Sequence, residues 1–294
     1  MEKEQSFVKE NQDEALESAL DSIMTAEEYG EIEHSKPYIF DLKMGDIELH
    51  YFGSPHINDP ENPLFNDIEA AFNKANPDIV FVEGLNANID KNRFSEGVKS
   101  ATREELISRM GESGLALKLG VDKEIDWESP EPSDKDLYSD LLAKGFSEEQ
   151  IFAWDIFHML PQYNRQMNKQ GFRQYAQGFI DQFVQATNWK DFDYSYERAI
   201  KLGEQICGEA IDVENDKNTA DRIDPIPWKE KKDKQTVLNR ISEESSAFRD
   251  RKIVSDIAKA METHKRAFIV YGASHAVMQE PALRKIFIQQ EKTN

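Results

Sequence analysis

Residues 78–84 read Asp-Ile-Val-Phe-Val-Glu-Gly, and this stretch decides the predicted fold. An unbroken run of β-branched and aromatic residues is typical of a strand that is buried on both faces, as in a parallel sheet covered by helices. Glu83 places a carboxylate directly after this strand. Residues 267–271, Ala-Phe-Ile-Val-Tyr, repeat the pattern near the other end of the sequence and predict a second buried strand.

The residues before the first buried strand predict a hairpin and a helix, and these indicate which strands pair in the sheet. Residues 37–42 and 47–52 predict a β-hairpin across a turn that contains glycine. A helix then opens at Asn62-Pro63 and ends at Asn76-Pro77, because asparagine caps a helix and proline fits its first position. A strand, a helix and a strand in this order predict a βαβ unit with parallel strands.

The rest of the sequence is mostly helical in pattern. Gly120 is expected to end the first of the remaining helices, and Pro281 to begin the last one. A short strand is predicted at 124–127. The helices are predicted at 104–119, 133–144, 147–160, 172–184, 194–211 and 236–262. The first of them is expected to be interrupted near Gly111 and Gly114.

These elements predict an α/β fold with a central mixed, mostly parallel sheet that is flanked by helices. Residues 37–294 are expected to form one α/β domain, in which a helical insertion at about 147–235 forms a cap or a second lobe. Residues 1–36 are acidic, and we expect them to form a peripheral arm outside the core.

The composition excludes several classes of function. The 294-residue sequence has a formal net charge of -20, whereas a nucleic-acid-binding protein needs a basic surface. No apolar run is long enough for a transmembrane helix, and a single cysteine cannot form an internal disulfide. We therefore expect a protein without membrane insertion, cytoplasmic or exported with its signal removed. Walker, dinucleotide-binding, serine-hydrolase and zincin signatures are all missing from the sequence.

Two matching motifs carry the predicted chemistry. Gly53-Ser54-Pro55-His56 and Gly272-Ala273-Ser274-His275 each follow a predicted strand. A glycine in this place permits a sharp turn with positive φ, so that the histidine can point back over the strand end. Ligands of open α/β sheets bind at the carboxyl ends of strands, where Glu83 is also expected. Two imidazoles with a carboxylate are a common ligand set for a divalent metal ion.

The other candidate residues each have a structural alternative. Glu83 could instead cap a helix or a turn. Glu112 lies between Gly111 and Gly114, where it could approach a ligand or simply begin a helix. Glu131 lies in an acidic, proline-rich stretch that is also typical of a solvated loop. Arg249 lies in a strongly charged helix, where a surface ion pair is the ordinary role.

Together these features resemble the TraB/PrgY and Tiki superfamily, which is related to ChaN-like and erythromycin-esterase-like proteins. The resemblance rests on the paired Gly-x-x-His motifs, on Glu83 after a strand and on an arginine in a late helix. Its most specific stretch is Val270-Tyr271-Gly272-Ala273-Ser274-His275. It implies an α/β fold in which both motifs converge on one site. Carried over by position, it implies His56, Glu83, Arg249 and His275 as site residues.

Tiki-like proteins are regarded as metal-dependent proteases, so the resemblance implies hydrolysis of an amide or ester in a peptide or small-molecule substrate. We expect His56 and His275, with Glu83, to hold manganese, cobalt or zinc. Glu83, Glu112 or Glu131 would take the proton of the attacking water, and Arg249 would stabilise the oxyanion. Two alternatives stay open: a metal-independent esterase with a histidine base, or a protein that binds haem, a metal or a small ligand. The oligomeric state stays unknown.

Overall fold

A computed structural model describes residues 14–85, 88–164, 170–215, 219–225 and 235–291. The chain divides into two compact units. The first, called here the α/β unit, combines the residues up to Pro132 with those from Arg249 onward. The second, called the helical unit, comprises Ser133–Phe248 and so includes the predicted insertion together with residues on either side of it.

A five-stranded sheet forms the centre of the α/β unit. Its strands are β1 (Tyr38–Met44), β2 (Ile47–Ser54), β3 (Ile79–Val82), β4 (Asp126–Glu128) and β5 (Arg266–Gly272). They lie in the order β1-β2-β5-β3-β4, in which β1 pairs antiparallel with β2 and the other pairs are parallel. The predicted mixed, mostly parallel sheet is therefore confirmed, and the strand from the end of the chain lies at its centre.

Helices cover both faces of this sheet. In chain order they are α1 (14–20), α2 (Ala26–Gly30), α3 (Leu64–Ala75), α4 (Lys91–Ser100), α5 (Arg103–Asp122), the later part of α12 (Val237–Ala260) and α13 (Ala273–Glu291). Alternate residues of β3 point to opposite sides: Ile79 and Phe81 pack with α12 and α13, whereas Val80 and Val82 pack with α3 and α5. A three-layer α/β/α arrangement results, with an apolar core on each face of the sheet.

Two predicted helix boundaries are wrong. Gly120 lies inside α5, which continues to Asp122. A Cβ atom there would lie 3.1 Å from Cγ2 of Val80, so the glycine permits close packing of α5 on the sheet. Pro281 lies inside α13, which begins at Ala273 directly after β5. Buried residues before Pro281 continue the helix, and their packing outweighs the loss of one backbone hydrogen bond.

The acidic N-terminal segment is not peripheral where the structure describes it. Ala19 and Leu20 are buried in the same apolar core as α13, and Tyr29 of α2 is buried as well. Residues 1–13 lie outside the described residues. The expectation that residues 1–36 stay outside the core is therefore wrong for the part from residue 14 onward, because its apolar residues at helical spacing cover one side of the sheet.

The helical unit has a core of its own that is rich in aromatic residues. Phe152 packs against Phe183, and both lie beside Tyr194. None of the helices in the described parts of either unit has the length and apolar character needed to cross a membrane. The helices of this unit are α6 (Asp134–Ala143), α7 (Glu148–Phe157), α8 (Leu160–Asn164), α9 (Phe172–Thr187), α10 (Tyr196–Cys207), α11 (Thr219–Ile223) and the first part of α12.

Candidate functional site

Glu83 lies at the centre of a polar cluster at the carboxyl edge of the sheet. It follows β3 directly, and β5 is the neighbouring strand. The backbone N–H of Gly272, at the end of β5, donates to Oε2 of Glu83 at 2.7 Å. Nε2 of His275 lies 3.6 Å from Oε1 of Glu83, and Nη2 of Arg249 lies 3.4 Å from the same oxygen. The carboxylate is thus contacted by groups from three different elements.

These neighbours determine the charge of Glu83. Burial works to raise the pKa of its carboxyl group. Electrostatic interactions with His275, His56 and Arg249 outweigh burial, and together with the Gly272 N–H they lower this pKa to about 2. Glu83 is therefore ionised at neutral pH, although its side chain is only 16% exposed.

His275 is held by a buried carboxylate on α12. Its Nδ1 lies 2.6 Å from Oδ1 of Asp250, which also accepts a hydrogen bond from Nε2 of Gln279. Asp250 is completely buried, and its Oδ2 atom has no hydrogen-bond partner among the described residues. Burial works to lower the pKa of His275, but the charges of Asp250 and Glu83 outweigh it and raise the pKa to about 9.

His56 is held in the same way from the other side of the site. It lies two residues beyond β2, and its Nδ1 is 2.9 Å from Oε1 of Glu112. The other oxygen of Glu112 accepts the backbone N–H of Ile57 at 3.4 Å. Glu112 is buried because α5 is kinked at Gly111, where φ is 58° and a Cβ atom would clash with the carbonyl oxygen of Ile57. The side chain of His56 is 50% exposed.

Both histidines of the Gly-x-x-His motifs converge beside Gly272. A Cβ atom on this residue would lie 3.1 Å from Nε2 of His56 and 3.4 Å from Oε2 of Glu83. Neither Gly53 nor Gly272 has a φ in the left-handed region, so the predicted positive-φ turns are wrong. The glycines instead permit close approach: a Cβ atom on Gly53 would lie 2.5 Å from that of Ala276 in α13. His275 consequently lies in the first turn of α13 and not on a loop.

Arg249 and Glu131 form a second pair beside Glu83. Nε and Nη2 of Arg249 donate to the two carboxylate oxygens of Glu131 at 2.9 and 3.0 Å, and the backbone N–H of Gly84 donates to Glu131 at 3.2 Å. Burial works to lower the pKa of Arg249, but Glu131, Glu83 and Asp250 raise it well above its ordinary value. No described residue accepts a hydrogen bond from Nη1 of Arg249.

The structure thus brings together all six residues that were singled out from the sequence. His56, Glu83 and His275 line the centre, whereas Glu112 and Arg249 approach from either side, with Glu131 behind the arginine. Their roles in chemistry stay predictions. Asp250 was not among the predicted site residues, although a signal was present: Asp250 lies three residues before Ile253 and seven before Ile257, on the apolar face of α12.

Within the described residues, no cluster of three or more His, Cys, Asp and Glu side chains is already arranged as a metal site. The site nevertheless belongs to a recognisable class, a polar centre at the carboxyl edge of a mostly parallel α/β sheet. No family model, no curated protein and no solved structure matches this chain.

Proposed function

We propose that this chain is a metal-dependent hydrolase of an amide or ester bond. One observation carries the proposal: each histidine of the pair has its Nδ1 held by a buried carboxylate, Glu112 for His56 and Asp250 for His275. A carboxylate on Nδ1 fixes the ring and directs Nε2 into the site, which is how histidine ligands of metal sites are commonly oriented. Binding of the ion would displace the Nε2 proton of His275. Both Nε2 atoms lie beside Glu83.

The charge of the site also fits a divalent cation. His56, His275 and Glu83 would hold the ion, because two imidazoles and one ionised carboxylate form a common ligand set for catalytic zinc and similar metals. A bound ion would supply a more acidic water and polarise the scissile carbonyl. The pKa of about 2 makes Glu83 a weak proton acceptor at neutral pH, which supports a ligand role for Glu83 over that of general base.

The remaining predicted residues would hold the reacting groups in place and stabilise the negative charge that develops on the substrate. Glu112 has both oxygens engaged by His56 and Ile57, so it would orient His56. Glu131 is engaged by Arg249 and Gly84, so it would hold the guanidinium in place. Nη1 of Arg249 would then donate to the oxygen that becomes negative as the carbonyl is attacked.

A second candidate is hydrolysis without a metal, and the state of His275 favours it. With a pKa of about 9, His275 carries a positive charge at neutral pH and would stabilise an oxyanion beside Arg249. His56, oriented by Glu112 and half exposed, would then be the general base, as in a histidine–carboxylate pair of a hydrolase. The haem-binding alternative stays a prediction, without a supporting contact among the described residues.

Metal content and hydrolysis, measured together, test both candidates. The purified protein would be incubated with manganese, cobalt or zinc, desalted, analysed for metal and assayed on a panel of peptides and esters. We expect about one equivalent of metal and hydrolysis, both lost in His56→Ala and in His275→Ala. His264→Ala is the matched control, because His264 also faces a carboxylate, that of Asp126 at 3.4 Å. Hydrolysis that survives chelation would contradict the metal-dependent mechanism and support the second candidate.

A further inference from the structure

A cavity of about 420 Å³ lies in the α/β unit between α4 and α5. Phe94 and Val98 of α4 face Leu106 and Met110 of α5 across it, so most of its wall is apolar. Its volume falls within the range of small-molecule pockets, roughly 300–1,000 Å³. The cavity is therefore large enough for an aliphatic chain or an aromatic group.

Two arginines give this apolar cavity a definite charge preference. Arg93 and Arg109 both line it, and neither makes an ion pair within the described parts of the chain. Asp90 also lines the cavity, but its carboxylate accepts the backbone N–H groups of Asn92 and Arg93 as the cap of α4. The unpaired guanidinium groups would bind a carboxylate of a ligand.

The cavity and the candidate site are formed in part by neighbouring residues of the same segments of the chain. Met110 lines the cavity and precedes Glu112, the partner of His56, by two residues, so the two Cα atoms lie within about 8 Å of each other. Ile89 lines the other side and belongs to the segment that leaves β3 after Glu83. Part of the cavity wall is therefore continuous in sequence with Glu112, and this continuity links the cavity to the site proposed for hydrolysis.

We infer that this cavity binds an apolar group that bears a carboxylate, and that this group is the part of the substrate beyond the scissile bond. The first half of the inference stands on the cavity alone. The second half rests on the proposed hydrolase function. The substrate class is then an amide or ester of an apolar, acidic compound, such as an acyl chain with a terminal carboxylate.

Calorimetric titration with decanoate tests the cavity without any need for catalysis. We expect saturable binding that weakens by about ten-fold in Arg93→Gln/Arg109→Gln, because a charge-assisted hydrogen bond is lost. Gly97→Met should weaken it as well. Gly97 lines the cavity in α4, and a Cβ atom there has no neighbour within 4 Å, so the new side chain can occupy the space without a clash.

Two control variants test whether weaker decanoate binding comes from changing the cavity itself or from changing a glycine or an arginine anywhere in the protein. Gly178→Met makes the same change at an exposed glycine of α9 that also has open space around it, and Arg251→Gln removes a paired surface arginine. Both should bind decanoate like the unaltered protein, and decanol and decylamine should bind more weakly than decanoate. Absence of saturable binding, equal binding of decylamine, or full binding by Gly97→Met would overturn the inference.

The two halves of the inference fail in different ways. His56→Ala/His275→Ala should abolish hydrolysis and leave decanoate binding unchanged. Absence of hydrolysis in the unaltered protein, with intact decanoate binding, would remove the proposed function and keep the cavity as a ligand site. If hydrolysis occurs, esters that end in a carboxylate should show a KM raised by about ten-fold in Arg93→Gln/Arg109→Gln, with kcat little changed. An unchanged KM would overturn the link between the cavity and the substrate.

Discussion

Asp250 is the residue on which the state of His275 depends most directly. It is completely buried, and its charge is a main reason for the raised pKa of the imidazole. Asp250→Asn keeps the shape of the side chain and removes the charge, so the pKa of His275 should fall. The affinity for a divalent ion should also fall, by roughly 10- to 100-fold, as is typical when the partner of a histidine ligand is altered.

The pKa of His275 in this variant can be followed by nuclear magnetic resonance titration of the imidazole, and metal affinity by calorimetry. Asp126→Asn is the control, because Asp126 faces His264 outside the site. An unchanged pKa of His275 in a folded Asp250→Asn protein would show that the contact of 2.6 Å does not determine its charge.

Gly272 offers a substitution that should affect the site more than the fold. Its φ does not require glycine, but a Cβ atom would lie 3.1 Å from Nε2 of His56. This is the far end of a half-exposed side chain, so His56 can shift at small cost. Gly272→Ala should therefore change the free energy of unfolding by less than about 1 kcal/mol, while metal binding falls clearly.

Urea denaturation and metal titration of the same samples check this prediction. Gly97→Ala serves as the comparison, because its Cβ atom meets nothing within 4 Å. That variant should bind metal normally and gain about 0.5–1 kcal/mol of stability from the better helix propensity of alanine. Normal metal binding by Gly272→Ala would argue against the convergence of His56 and Glu83 on one ion.

At the scale of elements, α7 of the helical unit contains a buried acid whose titration should affect stability. Asp155 lies 2.7 Å from the hydroxyl of Tyr138, and burial raises the pKa of its carboxyl group from 3.8 to about 7. Between these two pH values the folded chain keeps a proton that the unfolded chain has lost. The contribution of Asp155 to stability therefore falls as the pH rises through this window.

Asp155→Asn should remove this loss, because the amide accepts the same hydrogen bond without a charge. The gain in free energy of unfolding from Asp155→Asn should be about 3 kcal/mol larger at pH 8 than at pH 5. Urea denaturation at the two pH values gives this difference, and Asp181→Asn, at an exposed position of α9, is the control. An equal effect at both pH values would contradict the assigned shift.

The elements also show what the sequence could and could not predict. The strand at 78–82 and the one at 267–271 were predicted because an unbroken apolar run is a local signal. The order of the strands was not predicted, because β5 reaches the centre of the sheet through pairing between segments that are distant in sequence. The predicted start of the last helix at Pro281 was wrong for a similar reason. α13 begins at Ala273 because it packs there against β2, which is distant in sequence.

The same distinction applies to the site. His56, His275 and Glu83 follow strands, so their convergence could be predicted from general rules for α/β sheets. The contact of Glu112 with His56 depends on the kink at Gly111. The glycines at 111 and 114 predicted an interruption of this helix, but not that it would turn Glu112 toward His56. The pairing of Asp250 with His275 likewise depends on where α12 packs, although its place on an apolar helix face was visible.

At the scale of the whole molecule, the two units differ in how the chain forms them. The helical unit is one continuous segment with its own aromatic core, whereas the α/β unit needs both ends of the chain. Residues 133–248, expressed alone, should therefore fold cooperatively. Residues 1–132, expressed alone, should not, because they contain β1 to β4 without the strand that joins them.

Circular dichroism during heating distinguishes these outcomes. The fragment 133–248 should give a helical spectrum and a sigmoidal transition, and the fragment 1–132 a gradual change without a transition. A cooperative transition in the second fragment would mean that β2 and β3 do not need β5 between them.

The central position of β5 also sets the point in synthesis at which the sheet and the candidate site can be completed. A ribosome that has not passed residue 272 has produced two separate pairs of strands, β1 with β2 and β3 with β4, and no His275. The last sheet strand and the second histidine of the site are then delivered together. A growing chain thus lacks the completed sheet and the candidate site until residue 275 has been added. A protease cut just before residue 266, if it released the segment that follows, would remove β5 and His275 in one event.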